Sequence, residues 1–134
     1  MRILLVEDSL ADAQLFERAL ERTTQLSAVT HVESGEAALN ALDAHPFQMM
    51  VLDLNLPGSS GFDVLRRLRA SEDEALRAMP VTVLTTTRAI ADHRRAYACG
   101  ANVVLTKPED WQEFCAQISA WASFWTSTAA LVGR

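Results

Sequence analysis

Five short apolar runs recur along the chain, and each is followed by a segment with helical periodicity. The runs do not alternate between polar and apolar residues, so they suit strands buried on both faces, as in a parallel sheet. Strands that alternate with helices at this spacing predict βαβ units with right-handed crossovers. The expected fold is a doubly wound α/β domain with helices on both faces of the sheet. The runs are RILLV (2–6), SAVTHV (27–32), FQMMVLDL (47–54), VTVLTT (81–86) and ANVVLTKP (101–108).

Boundary signals support this division into strands and helices. Ser9 and Ser34 are predicted N-caps of the first and second helices, and Gly100 is the predicted C-terminal cap of the fourth helix. The last helix is predicted over about residues 109–126 and is followed by a short tail. The 134 residues suit one domain, 1–134, with one core.

Charge and composition argue against several classes of function. The net charge is −5 with no basic stripe to neutralise phosphates, so we expect no direct DNA binding. No apolar run approaches the ~20 residues of a membrane span, and Glu7 and Asp8 follow the apolar start too soon for a signal peptide. Cys99 and Cys115 form no disulfide framework and no metal-binding spacing, which suits free thiols in a reducing cytoplasm.

Polar residues stand where four of the predicted strands end. Glu7 and Asp8 follow the first strand, Asp53 the third, Thr85 ends the fourth, and Lys107 follows the fifth. Because the carboxyl ends of parallel strands share one rim, where ligands bind in open α/β sheets, these side chains are expected to converge. A carboxylate beside buried leucines is unfavourable unless it is paired, hydrogen-bonded or metal-bound. Asp53 is therefore a cap of the following turn, a paired structural charge or a reactive group.

Three acids at one rim predict a bound cation. Close carboxylates repel each other, so either one is protonated or a cation is present. Oxygen ligands suit a hard ion such as Mg²⁺, which also binds waters and phosphate oxygens. Lys107 adds a mobile positive charge and Thr85 a hydroxyl donor. With this charge neutralised, Asp53 could attack a phosphorus atom and become an aspartyl phosphate.

Four segments, in this order and spacing, make the chain resemble the receiver domain of bacterial two-component response regulators. The resemblance covers roughly the whole chain up to the last helix. It implies the flavodoxin-like (βα)5 fold with strand order 2-1-3-4-5. It also implies a phosphoacceptor signalling protein rather than an enzyme, with self-phosphorylation from small donors and slow autodephosphorylation. The segments are LLVEDS, VLDLNLPGSSGFDVL, VTVLTT and VLTKP.

The resemblance assigns a phosphoacceptor and a magnesium site. By it, Asp53 accepts the phosphoryl group. Asp8 and Asp53 bind Mg²⁺ directly, Glu7 binds it through a water, and the backbone carbonyl of Asn55 completes the protein ligands.

The resemblance also assigns the residues that respond to phosphorylation. Thr85 is the switch hydroxyl that moves toward the phosphoryl group, Lys107 pairs with the phosphate, and Pro108 is the family's cis proline. Asn55 and Thr87 lie two residues after the acceptor and the switch, where the family tunes hydrolysis. Because both are uncharged, we expect a moderate to long phosphoryl lifetime.

The last helix carries all three tryptophans of the protein in an apolar stripe with a spacing of three and four. With LTTT after the fourth strand and the tail ASFWTSTAALV, it resembles the stand-alone regulators paired with bacterial phytochrome kinases, which commonly dimerise through the last helix and the neighbouring strand. Val104 stands where many family members carry an aromatic side chain that swings inward on activation, so coupling would run through Thr85 and the adjoining loop or through a dimer. The predicted dimer or partner interface comprises Val104, Trp111, Phe114, Trp121, Phe124 and Trp125.

The sequence therefore predicts a single-domain, cytoplasmic response regulator. A sensor histidine kinase, with a bacteriophytochrome as one candidate, would phosphorylate Asp53 and change the surface around the fourth helix, fifth strand and fifth helix. Output would pass through a partner or a homodimer. Two alternatives stay open: a small phosphatase with an aspartyl-phosphate intermediate, and an adaptor that works without phosphorylation. A flavodoxin is disfavoured because the acidic VEDSLAD after the first strand is hostile to a flavin phosphate.

Overall fold

A computed structural model describes residues 1–23 and 27–128. Its five strands form one parallel sheet in the order β2-β1-β3-β4-β5, which confirms the predicted topology. All five lie within the predicted apolar runs. The strands are β1 (Arg2–Val6), β2 (Ala28–Val32), β3 (Met49–Leu52), β4 (Val81–Thr85) and β5 (Val103–Thr106).

Six α-helices lie between and after these strands within the described part of the chain. The short helix α4 is absent from the sequence prediction, so the predicted fourth and fifth helices are α5 and α6. The last helix was predicted over 109–126, whereas α6 ends at Ser123 and continues as a π-helical turn over Phe124–Thr128. Most of the predicted tail lies outside the described residues. The helices are α1 (Leu10–Glu21), α2 (Gly35–Ala44), α3 (Gly61–Arg69), α4 (Glu74–Arg77), α5 (Ile90–Ala98) and α6 (Trp111–Ser123).

Local signals explain where these helices begin and end. Ser9 accepts a hydrogen bond from the backbone N–H of Asp12, and Ser34 accepts one from Ala37, so both are N-caps. Gly100 follows α5 with φ of 114°, a left-handed conformation that favours glycine.

The sheet separates two apolar cores because side chains of a strand alternate between its faces. In β3, Met50 and Leu52 join the core under α2, α3 and α5, whereas Met49 and Val51 join the core under α1 and α6. All four side chains are almost completely buried. The carboxyl rim of the sheet is thus fixed from both faces. Within residues 1–23 and 27–128, no helix has the length and apolar character needed to cross a membrane.

The aromatic stripe of α6 covers the protein's own sheet. Trp121 is only 6% exposed, and its indole N–H donates to Thr82 Oγ1 over 2.8 Å. Phe114 is also buried. Both residues were predicted to face a partner, and that assignment is wrong because periodicity identifies an apolar face but not what covers it. By contrast, Phe124 is half exposed, and Trp111 and Trp125 are partly buried against the same core.

Arg69 links α3, α4 and β5 at the opposite rim of the sheet. Its guanidinium donates to the carbonyls of Gly100, Arg77 and Met79 and to Asn102 Oδ1, over 2.7 to 3.0 Å. The Arg77 carbonyl belongs to the last residue of α4, and the carbonyls of Met79 and Gly100 lie just after α4 and α5. Burial lowers the pKa of Arg69. One side chain therefore holds the ends of two helices against the sheet.

Replacing Arg69 by alanine is expected to lower the free energy of unfolding by about 2 kcal/mol, because several partly buried carbonyls lose their donors. Urea denaturation followed by circular dichroism measures this. Arg69→Lys should recover less than half of the loss, since an ammonium lacks the planar fork of donors. Arg67→Ala, on the exposed side of α3, is the matched control. Equal losses for Arg69→Ala and Arg67→Ala would contradict the role given to Arg69.

Candidate functional site

Three carboxylates meet at the carboxyl rim of the sheet. Glu7, Asp8 and Asp53 each offer an oxygen, and these oxygens all lie within 4.8 Å of one another. Glu7 is buried, Asp53 is partly buried and Asp8 is exposed. This is a donor set of the kind that hard divalent cations prefer.

Parallel pairing brings these acids together. Val6 and Leu52, the last residues of β1 and β3, lie side by side, and Asp53 N–H donates to Val6 O over 3.1 Å. Glu7 N–H donates to Val32 O over 3.0 Å, which extends the ladder between β1 and β2. The backbone thus fixes the positions at which the two acidic segments leave the sheet.

Gly61, at the start of α3, allows the chain to pass close behind Asp53. A Cβ at this position would lie 2.6 Å from the backbone oxygen of Asp53 and 2.8 Å from the Cα of Leu54. The Gly61 N–H also donates to Leu54 O over 2.9 Å. Only a glycine fits here without moving the acceptor segment. The sequence analysis did not single out Gly61, although it closes the GSSG segment that follows Asp53.

The environment raises the pKa of both partly enclosed acids. Burial raises the pKa of Asp53, with a smaller contribution from the charge of Asp8, while the Lys107 ammonium acts in the opposite direction. Burial likewise raises the pKa of Glu7 above its ordinary value, against the hydrogen bond from Lys107. The ionised forms of these acids are therefore destabilised, and nearby positive charge would favour them.

Lys107 and Glu7 form an ion pair in this structure. Lys107 Nζ donates to Glu7 Oε1 over 2.7 Å, and the two side chains are 15% and 5% exposed. Glu7 Oε2 accepts from the backbone N–H of Ser9 over 3.1 Å. The sequence analysis placed both residues at the site but did not foresee that they pair with each other.

Thr85 lies fully buried at the end of β4, beside Thr106 of β5. Its carbonyl accepts from the Lys107 N–H over 2.8 Å, which ties the two strand ends together. Its hydroxyl oxygen accepts from the backbone N–H of Thr87 over 3.3 Å. The predicted switch hydroxyl is therefore bonded to the loop that follows it.

Two further predicted positions adjoin the acceptor. Asn55 is exposed, and its backbone N–H lies 3.4 Å from Asp53 Oδ1, so Asp53 also makes a weak turn-capping contact. The bond before Pro108 was expected to be cis, but none of the peptide bonds in the described residues is cis. That expectation is wrong for this structure, which has the trans isomer that X–Pro bonds favour by about 0.5–1 kcal/mol.

A cavity of about 340 Å³ lies beside the acceptor, between α1 and the start of α6. Its lining is mostly apolar, and it includes the charged groups of Glu7, Asp53 and Lys107. Apolar surroundings disfavour isolated charge, which accounts for the raised pKa values. The sequence analysis did not predict this cavity. Its apolar lining includes Leu5, Leu15, Phe16, Val51, Leu84, Trp111 and Phe114.

Val104 lies in the edge strand, where the resemblance implies an aromatic residue. Its backbone N–H donates to the Tyr97 hydroxyl over 3.0 Å. Nearby, Gln117 Nε2 donates to the carbonyl of Thr106 over 2.9 Å. Side chains from α5 and α6 thus bond two main-chain groups of the edge strand.

Comparison with known proteins places the chain among signalling domains. The model of the response regulator receiver domain family matches residues 3–119. The chain is 38% identical over 129 residues to the probable methanogenesis regulatory protein FilR2 of Methanothrix harundinacea (strain 6Ac), covering 92% of this chain and 82% of that protein. It spans about half the length of other curated relatives that it matches, 51% and 49% in two cases.

Two solved structures resemble the whole chain. The Mn(2+)-bound form of response regulator Rcp1 has a TM-score of 0.86 and 32% identity, covering 97% of each chain. The phosphorylated cyanobacterial phytochrome response regulator RcpA has a TM-score of 0.90 and 32% identity, covering 98% of each chain. These likenesses confirm the family suggested by the four sequence segments. The chain belongs to the response regulator receiver domain family.

Proposed function

We propose that Asp53 accepts a phosphoryl group from a sensor histidine kinase in a Mg²⁺-dependent reaction. The supporting observation is the meeting of three carboxylates within 4.8 Å, with the Lys107 ammonium bonded to one of them. An acid that only caps a turn needs neither two further acids nor a partly buried lysine ammonium beside it. Phosphoacceptor chemistry uses all four groups.

The acids fit Mg²⁺ by their chemistry. Asp8 and Asp53 would bind it directly, Glu7 through a water and Asn55 through its carbonyl, which leaves coordination sites for waters and a phosphoryl oxygen. When bound, Mg²⁺ would supply positive charge that neutralises the acceptor and the phosphoryl oxygens. The raised pKa values of Asp53 and Glu7 support this, because they mark negative charge that the protein alone compensates incompletely.

In the transfer, an ionised Asp53 oxygen attacks phosphorus. The bond that forms is O–P, and the bond that breaks joins phosphorus to the imidazole nitrogen of the donor histidine. Lys107 would exchange Glu7 for a phosphoryl oxygen, and Glu7 would turn toward the cation. The Thr85 hydroxyl would donate a hydrogen bond to another phosphoryl oxygen. We treat the protein as a phosphoacceptor rather than a phosphatase, because an amide at Asn55, two residues after the acceptor, cannot act as an acid or base.

We infer that the donor kinase is a bacteriophytochrome and that the output passes through a partner or a homodimer. Likeness to the phytochrome response regulator RcpA supports a bacteriophytochrome as the donor. The net charge of −5 supports output through a protein partner rather than through DNA. Tyr97 and Gln117 already bond two main-chain groups of the edge strand β5. A homodimer through α5, β5 and α6 would therefore form through side-chain contacts rather than through pairing of two edge strands. Of the predicted interface residues, Phe124, Val104, Trp111 and Trp125 keep that role.

Asp53→Asn is expected to fold normally and to lose labelling by acetyl phosphate with Mg²⁺, because an amide oxygen is too weak a nucleophile. Intact-protein mass spectrometry would measure the added phosphoryl group, and circular dichroism would verify the fold. Asp43→Asn, an exposed change on α2, is the matched control and should keep wild-type labelling. Full labelling of Asp53→Asn would refute the assigned acceptor.

Mg²⁺ is expected to raise the free energy of unfolding of the wild type, since it binds the folded state. Asp8→Asn should make the metal-free protein slightly more stable by relieving repulsion, and should weaken Mg²⁺ binding at least about tenfold by removing a ligand. Thermal unfolding across a Mg²⁺ titration measures both effects, with Asp43→Asn on the exposed side of α2 as the control. An unchanged Mg²⁺ response in Asp8→Asn would contradict the proposed metal site.

The stability of the metal-free protein should depend on the ionisation of Asp53. Its folded pKa is raised, so the folded state binds this proton more tightly than the unfolded state, and this contribution to stability is lost as the pH rises through the raised pKa. Asp53→Asn cannot ionise. The free energy of unfolding of the variant minus that of the wild type should therefore increase with pH over that interval. A difference independent of pH would show that Asp53 is not perturbed.

A further inference from the structure

The helix α5 begins without the usual side-chain cap. Its N-cap residue, Ala89, has no side chain that could accept a hydrogen bond from the first turn. Instead, Thr87 lies two residues earlier, and its Oγ1 accepts from the Ala89 N–H over 3.3 Å. The side chain of the loop residue Thr87 thus partly replaces the missing N-cap hydrogen bond.

The first turn of α5 also holds Thr87 from its other side. The Thr87 hydroxyl donates to Asp92 Oδ2 over 3.1 Å, and His93 Nε2 lies 2.8 Å from the Thr87 carbonyl oxygen. Because a carbonyl only accepts, His93 Nε2 carries the hydrogen in this contact. Together with the Thr87 N–H bonded to Thr85, all the polar groups of Thr87 are engaged. A continuous chain of hydrogen bonds runs from the hydroxyl of Thr85 to α5.

We propose that Asp92 and His93 are positioning residues that hold Thr85 in its resting place through Thr87. We call Thr87, Asp92 and His93 the α5 latch. This inference rests on the proposed function, in which Thr85 moves toward a phosphoryl group on Asp53. That movement pulls on the Thr87 N–H, and Thr87 follows only when its bonds to Asp92 and His93 break. The latch therefore favours the resting form and opposes the phosphorylated one.

The chemistry of the two contacts makes them suited to this role. The hydrogen bond from a hydroxyl to a carboxylate is stronger than a hydrogen bond between two neutral groups. Asp92 also lies in the first turn of α5, where the helix dipole favours negative charge. Both contacts belong to residues that neither bind the metal nor touch Asp53 in the proposed reaction. Their removal should change the resting equilibrium without altering the acceptor.

The test measures the affinity of the full chain for beryllofluoride, a phosphoryl mimic, at saturating Mg²⁺, by tryptophan fluorescence. Asp92→Ala should bind about fivefold more tightly, equivalent to about 1 kcal/mol. Asp92→Asn keeps an oxygen that accepts from Thr87 and should bind within about twofold of the wild type. Asp43→Ala, which removes one negative charge from the surface of α2, should have no effect.

His93 provides a second, independent variant of the latch. His93→Ala should also bind beryllofluoride more tightly, and His93→Gln, which keeps a side-chain N–H, should restore much of the wild-type affinity. If Asp92 and His93 had a purely structural role, the alanine variants would bind beryllofluoride more weakly, because loosening α5 would lower both thermal stability and affinity. The latch predicts lower or equal thermal stability of the metal-free variants together with higher affinity.

The outcomes separate the two proposals. A wild type that fails to bind beryllofluoride with Mg²⁺ would overturn the phosphoacceptor function and the latch with it. A wild type that binds, with unchanged or weakened binding in both Asp92→Ala and His93→Ala, would overturn the latch alone. Tighter binding in either alanine variant, lost again in its conservative counterpart, would support it.

Discussion

The meeting of three acids at one rim of the sheet, two of them enclosed, is the constraint on which the proposed chemistry depends. Paired strands with buried side chains fix the backbone from which Glu7, Asp8 and Asp53 leave the sheet. One ammonium, Lys107, offsets only part of the negative charge of these acids. Burial further destabilises the ionised forms of Glu7 and Asp53. In the proposed function, a bound cation would offset this negative charge, and a phosphoryl group would share that cation through its oxygens.

The rest of the molecule holds this rim in place. Apolar cores cover both faces of the sheet, and α6 is anchored by the buried indole of Trp121. At the opposite rim, Arg69 binds the ends of α4 and α5. In the proposed reaction, movement would therefore fall on side chains such as Lys107 and on the loop after Thr85, while the sheet would keep its register.

The sequence predicts the scaffold well because its strands are fully buried and so appear as uninterrupted apolar runs. It also predicts which residues reach the rim, since strand ends in a parallel sheet coincide. It missed α4 because four helical residues are too few to show a period, although Asp73 is a recognisable cap. The pair of Glu7 and Lys107 spans 100 residues, and no local pattern encodes it. Trp121 was misassigned for a related reason: an apolar stripe does not identify its partner.

If the proposed function holds, Val104 changes the route by which a signal leaves this site. An aromatic side chain at that position would couple the site to the surface through its bulk, which a valine lacks. Here the connected route from Thr85 is polar and passes through Thr87 to the first turn of α5. In the proposed function, a change at the Thr85 hydroxyl would act on the loop that leads to α5, whereas the Thr85 carbonyl is linked directly to the end of β5 through the Lys107 N–H. Ile90, the first residue of that helix, is 66% exposed. In the proposed function, a partner that contacts the beginning of α5 would therefore sense a change at the Thr85 hydroxyl.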